Sequence, residues 1–209
     1  MYRLFLTAGI RCARRKSVAE ALFGDYAPNG KLPVTFYQGT ENLPEFTDYS
    51  MAGRTYRYTD KNILYPFGYG LTYGTISYSG AKTEQETSAV LDDVTVCTKV
   101  KNESAYPLHE SVEVYVKYKN AQPGEPGFQL KASRAWNCRQ EKKRGFRDTA
   151  CKRFAVITED GGCVVRPGEY EISIGGQQPG ERSRALTGRE TEILTVRKKE
   201  MKRTSSIKY

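Results

Sequence analysis

The 209-residue chain is 38% hydrophobic and 11% aromatic, enough for a packed core, which excludes a disordered tail. It holds no run of 18 apolar residues to cross a membrane, and the stretch Tyr2–Leu6 is too short for a secretory signal, so a cytoplasmic location is expected. The formal charge of +9 is confined to residues 1–16 (+5), 131–153 (+7) and 197–209 (+5), leaving a body near −8; none of these segments interleaves aromatics with Arg/Lys as a base-stacking platform needs, so neither nucleic acid nor membrane is an expected partner.

Residues 17–23 predict a short helix. Val18 and Leu22, with Ala19 and Phe23, stand at i, i+4 spacing and make one apolar stripe. Ser17 fits the N-cap, Glu20 follows at capping-box distance, and Gly24 is a natural stop. Asp25 to Gly30 carries turn chemistry, and Leu32 to Phe36 predicts a short strand that Pro33 places at an edge. This helix–turn–strand unit is the terminal piece of an α/β layer and is too small to fold alone.

Residues 37–80 lack a clean period and are rich in Tyr, Gly and Pro. They read as a long arm packed between two domains. An aromatic sugar-binding platform is the other reading, but the rings are spread out rather than grouped with carboxylates. Arg54 and Arg57 on this arm are expected to pair with carboxylates at a domain interface. From residue 89 the period becomes two. Val94, Val96, Thr98 and Val100 share one face; so do Val112, Val114, Val116 and Tyr118, and so do Tyr170, Ile172 and Ile174. Short alternating strands with polar turns predict an antiparallel β-sandwich over 89–195, followed by a frayed basic tail, 196–209. Glu159-Asp160-Gly161-Gly162 reads as a hairpin turn.

Two stretches, 1–16 and 131–153, break the pattern. The second shows no alternating strand where a sandwich needs one. Trp136-Asn137-Cys138, back-translated and read two bases along, gives Glu then Leu, and the next bases permit Pro, Ala, Gly, Glu, a strand end and turn. Residues 11–16, read one base along, permit Gly-Ala-x-Gly-Gly-Lys. Both stretches are therefore expected to be frameshift products. Three of the five cysteines, Cys12, Cys138 and Cys151, lie in them, and no CxxC occurs, which argues for reduced thiols over a disulfide framework or zinc site.

The carboxylates Glu20, Asp25, Glu45, Asp48, Glu110, Glu113, Glu159, Asp160, Glu169 and Glu171 read as solvated strand faces and turn residues. The single histidine, His109, reads as a surface loop residue after Pro107. No residue is assigned as catalytic, cofactor-binding or metal-ligating, and no cofactor is expected.

The segment from Ala19 to Phe36 resembles the closing motif of the α/β-sandwich domain of glycoside hydrolase family 3. Gly53–Tyr58 and Leu64–Tyr73 resemble that family's linker. Val165–Gly176 resembles the last strands of its C-terminal fibronectin type III-like domain. The resemblance divides the chain into 1–36, the truncated end of the α/β domain; 37–88, an aromatic linker arm; 89–195, the fibronectin type III-like domain; and the tail. The expected fold is mainly β, an immunoglobulin-like sandwich preceded by a helix–strand fragment.

The members it most resembles are β-glucosidases and β-xylosidases, which implies a retaining mechanism with two carboxylates. In that family the nucleophile Asp lies on an upstream TIM barrel and the acid/base Glu earlier in the α/β domain. A barrel needs roughly 250 residues, so no catalytic residue carries over and the chain alone is expected to be inactive. The implied partners are the upstream barrel and α/β domains, with self-association through the aromatic arm in their absence. A free-standing fibronectin type III-like carbohydrate-binding or interaction module is the alternative.

Overall fold

A computed structural model describes residues 12–41, 43–90, 92–138, 144–150, 154–157 and 161–200. Helix α1 spans Cys12–Phe23 and stops at Gly24, which takes φ 86°. The helix therefore starts five residues before the expected cap, and Ser17 lies inside it. Ala13, Arg14, Arg15 and Lys16 are all strong helix formers, so nothing halts the helix at Ser17. The apolar stripe faces water: Leu22 is 60% exposed and Phe23 86%, while Ala21 on another side is buried.

The strand expected over 32–36 shrinks to β1, Phe36–Tyr37, which pairs antiparallel with β2, Ile63–Tyr65. Pro33 has no N–H to give a ladder. Leu32 instead exchanges backbone hydrogen bonds with the later arm, donating to Tyr69 and accepting from Gly68. Between β1 and β2 lies one helical turn, α2, Thr55–Tyr58.

The rest is a β-sandwich, as the alternation predicts. Its strands begin at β3, Ile76–Thr83, which starts within the stretch read as aperiodic, and β4, Thr87–Ala89, at the boundary assigned between arm and sandwich. The register of β3 shifts between Ser79 and Lys82, at Gly80 with φ 66°. Such a bulge reverses the in/out parity midway, which is why period two was not visible there. Strand β5, Val94–Asn102, pairs with β3 on one side and with β8, Arg144–Ala150, on the other.

The larger sheet has the order β4, β12, β11, β6, β7. Its strands are β6, Leu108–Tyr118; β7, Gln129–Cys138; β11, Gly168–Gly175; and β12, Glu192–Lys199. A small hairpin, β9 (Val156–Ile157) with β10 (Cys163–Val164), closes the connection that contains Gly161-Gly162; Glu159 and Asp160 lie outside the described residues. Helix α3, Glu181–Thr187, links β11 to β12. No described helix is long and apolar enough to cross a membrane.

The core lies between the two sheets: Val94, Val96 and Val100 meet Leu108, Val112, Val114, Val116, Tyr170, Ile172, Ile174 and Val196. One end is pinned by Tyr170. Its hydroxyl donates to the Arg166 carbonyl at 2.8 Å, its ring meets Phe154 edge-on at 5.2 Å, and burial pushes its phenol up to about 12.

Two further expectations are corrected. The stretch 131–153 does contribute strands: β7 pairs with β6 and β8 with β5. In β7, Ala132 and Cys138 are buried in the core and Trp136 packs against it, while Arg134 on the same face is exposed. The tail is not frayed up to residue 199, because β12 continues with Val196 and Lys198 fully buried. Lys198 is buried because its Nζ donates to the carbonyls of Ala89 (3.2 Å) and Asp92 (2.6 Å) and lies 4.9 Å over the Phe154 ring.

Candidate functional site

Strand β6 carries two carboxylates that the sequence reading assigned to water, and both are buried: Glu110 is 2% exposed and Glu113 4%. Side chains alternate along a strand, so residues three apart point to opposite faces. Glu110 shares the inner face with Leu108, Val112 and Val114. Glu113 shares the outer face with Tyr115.

On the inner side, Glu110 sits at the open end of the sandwich. Lys31 Nζ, from the turn after α1, lies 3.0 Å from Glu110 Oε1 and gives its hydrogen bond to the Gly176 carbonyl at 2.6 Å. Arg189 Nη1 lies 3.6 Å from Glu110 Oε2 and also binds the Gly74 carbonyl through Nη2. A Cβ at Gly176 would come 2.5 Å from Glu110 Oε1, so only glycine fits. Burial and the adjacent Glu110 charge drive the Tyr78 phenol well above its ordinary value. Two cations from distant parts of the chain thus balance one buried anion. Together they bolt the α/β fragment to the sandwich.

On the outer side, the arm covers the sheet. Tyr56 stacks on Phe67 at 4.1 Å and meets Tyr115 edge-on at 6.4 Å. The Leu130 amide donates to the Tyr56 hydroxyl, the Gly127 amide to the Arg57 carbonyl, and Gln178 Nε2 to the Tyr56 carbonyl. Beneath the arm, the Tyr115 hydroxyl donates to Glu113 Oε2 at 2.8 Å. Gly68, at φ 74°, lies directly on this pair: a Cβ there would sit 2.7 Å from both oxygens. Desolvation raises the Glu113 carboxyl to about 7, although the Tyr115 hydrogen bond and the Lys31 charge pull the other way. The Tyr115 phenol is driven upward by burial and by the Glu113 charge.

A retaining glycosidase needs two carboxyl groups roughly 5 Å apart with the sugar between them. Glu110 and Glu113 face opposite sides of one sheet, each closed over by protein, so they cannot flank a glycosidic bond. The rings that might have formed a sugar platform, Tyr56, Phe67 and Tyr115, are used in stacking on one another. Among the described residues no group of three or more His, Cys, Asp or Glu side chains stands together as a metal site.

The remaining candidates are dispersed. Glu169 binds Lys119 and Arg197 at the surface. Asp48 accepts from the Ser50 amide at 2.8 Å and the Ser50 hydroxyl at 3.1 Å, which holds its carboxyl below the usual range. Asp25 follows α1 as a turn residue, its amide bound to the Glu20 carbonyl. His109 lies in β6 rather than a loop, exposed and opposite Asn137. Among the described residues Arg54 forms no close ion pair with a carboxylate, although its charge helps to hold the Asp48 carboxyl down: it donates to the backbone carbonyls of Glu45, Asp48 and Ser50, bracing the loop from Glu45 to Arg54. Arg57 lies over the ring of Tyr56, 5.7 Å from its centroid.

The sequence of residues 9–73 matches the Glycosyl hydrolase family 3 C-terminal domain. Over 165 residues, 76% of this chain, it is 39% identical to a xylan 1,4-beta-xylosidase of Xylanibacter ruminicola, of which it covers 18%. A periplasmic beta-glucosidase of Salmonella typhimurium is 32% identical over 127 residues, 55% of this chain and 17% of that protein. Among solved structures, a beta-glucosidase of Bifidobacterium adolescentis aligns with TM-score 0.71 at 22% identity, over 91% of this chain and 30% of that one. A β-glucosidase of Erythrobacter marinus aligns with TM-score 0.68 at 25% identity, over 86% and 23%. The chain spans about a fifth of the length of the curated relatives it matches. With its sandwich, its arm and the matched segment, the chain belongs to glycoside hydrolase family 3, to the region that carries the family's C-terminal domain, and is similar there to family members that are β-xylosidases and β-glucosidases.

Proposed function

We propose that this chain is the fibronectin type III-like end of a family 3 enzyme that hydrolyses terminal β-D-glucosides or β-D-xylosides, and that alone it is inactive. The observation that carries this reading is the unfinished α/β unit. Helix α1 and the two-residue β1 leave Leu22, Phe23 and Val34 in water, as one unit of a larger layer does when its neighbours are absent. The nucleophile and the acid/base belong to the barrel and α/β domains that the family resemblance implies. The part of this chain is to brace them, through the bolt at Glu110 and the arm over β6.

Co-expression tests this. The partner is the barrel and α/β region of a family member from which the C-terminal region has been removed. The two pieces are expected to co-purify, and aryl β-glucoside or β-xyloside hydrolysis is expected to rise above that of the truncated partner. Two pieces that elute separately, with no gain in turnover, would contradict the bracing role.

A further inference from the structure

We propose that the joint between the arm and the sandwich is a proton-operated latch, in which the neutral Glu113 carboxyl keeps the arm seated on β6 and its ionisation lets the arm lift. The inference is independent of whether the chain takes part in glycoside hydrolysis, because every group involved lies within it. Glu113 is 4% exposed, and what closes it from water is the arm itself. Gly68 lies directly over it and Tyr56 stands against its neighbour Tyr115.

The charged and titratable groups around Glu113 come from each element packed there. From β6 come Tyr115, whose hydroxyl donates to Oε2, and Glu110, whose negative charge opposes ionisation. From the turn after α1 comes Lys31, whose positive charge favours ionisation but is already matched to Glu110. From α2 comes Tyr56, and the backbone of Gln178 closes the other side of Gly68. Lys31 and Arg189 are thus both engaged by Glu110, and the group that hydrogen-bonds Glu113 directly is a phenol.

Lifting the arm returns Glu113 to water. Its carboxyl then regains an ordinary affinity for protons, near 4.5, against about 7 when seated. The seated form holds the proton more tightly, so seating is strongest in acid. It weakens as pH rises from about 4.5 to 7 and is constant above that. The full span is about two orders of magnitude in the seated-to-lifted ratio.

Hydrogen exchange on the intact 209-residue chain reads this directly. The amides of Gly127 and Leu130 belong to the sandwich but donate to arm atoms, the Arg57 carbonyl and the Tyr56 hydroxyl. After correction for the intrinsic pH dependence of exchange, their protection is expected to fall at least tenfold between pH 5 and pH 8. The central β11 amides of Ile172 and Ser173 are expected to keep theirs. In Glu113→Gln, which keeps an acceptor for Tyr115, the fall is expected to vanish. An equal fall in β11 would mean global loosening and overturn the latch, as would an unchanged fall in the variant or none in the wild type. Carboxyl-carbon NMR of the unmutated chain provides the second measurement, needed if the variant fails to fold. Titration of Glu113 near 4.5 would overturn the proposal, and titration near 7 with matching shifts at Gly127 and Leu130 would support it.

Discussion

Gly68 and Lys31 show how single residues hold the arm and the α/β fragment in place. Gly68 takes φ 74° and lies against the Glu113–Tyr115 pair. Gly68→Ala meets a left-handed backbone penalty of roughly 1–2 kcal/mol together with overpacking of about 1–3 kcal/mol. Its expected outcome is an arm that no longer seats, seen as new protease cleavage between Gly53 and Tyr73 while the sandwich stays intact. Lys31 is the nearer of the two cations at Glu110. Removing one partner of a buried pair costs about 3–5 kcal/mol, and Arg189 remains, so Lys31→Met is expected to lower stability in urea by about 2–3 kcal/mol. Lys31→Met with Glu110→Gln is expected to recover much of that, because the buried carboxylate is gone and Arg189, which reaches solvent, keeps the Gly74 carbonyl. Equal losses in the two variants would contradict the bolt.

Glu110 was legible in principle. It shares in/out parity with Val112, Val114 and Val116, so a charge on that face announced a buried anion awaiting a cation. That the cations are Lys31 and Arg189 could not be read, because both come from segments distant in sequence. Glu113 was not legible at all: its face is the outer one, and only the arm, laid across it by tertiary packing, takes it out of water.

At the scale of elements, period two identified β5, β6 and β11, where each strand faces one core and one other surface. It failed for β3, where the bulge at Gly80 reverses parity, and for β12, where Lys198 replaces an apolar core residue and finds carbonyl partners instead. Helix α1 was legible in kind but not in extent, since good helix formers precede Ser17.

Strand β7 is the informative exception. It pairs with β6 and turns Ala132, Trp136 and Cys138 to the core, yet Arg134 on the same face is exposed. A charge at such a position is what translation from a shifted frame is expected to leave, because the backbone can complete a sheet edge whatever side chains it carries. Sequencing the encoding DNA across 131–153 is expected to find an uninterrupted alternative frame reading Glu-Leu and then a Pro/Ala-Gly-Glu turn in place of Trp136-Asn137-Cys138 and the residues after it. Codons that permit no such reading would contradict it.

For the whole molecule, the apolar surface left open is the main consequence. Beyond Leu22 and Phe23, the loop braced by Arg54 presents Phe46 at 94% and Tyr49 at 90% exposure. Large rings held out on a loop are expected to favour association. The chain alone is expected to elute from size exclusion as a concentration-dependent mixture, and Phe46→Ser with Tyr49→Ser is expected to shift it toward monomer. A single monomeric peak at all concentrations would contradict this. The arm thus meets β6 with its stacked rings and leaves other rings free for a further surface, consistent with a segment that joins domains.

This region of a family 3 enzyme is expected to support catalysis without carrying it. The most direct measurement is hydrolysis of chromogenic aryl β-glucoside and β-xyloside by the purified chain alone. The account predicts no release above buffer at any pH from 4 to 8. Turnover that persists through purification and is abolished by Glu110→Gln or Glu113→Gln would contradict it, and would mean that the carboxylates assigned to the bolt and the latch open to a substrate.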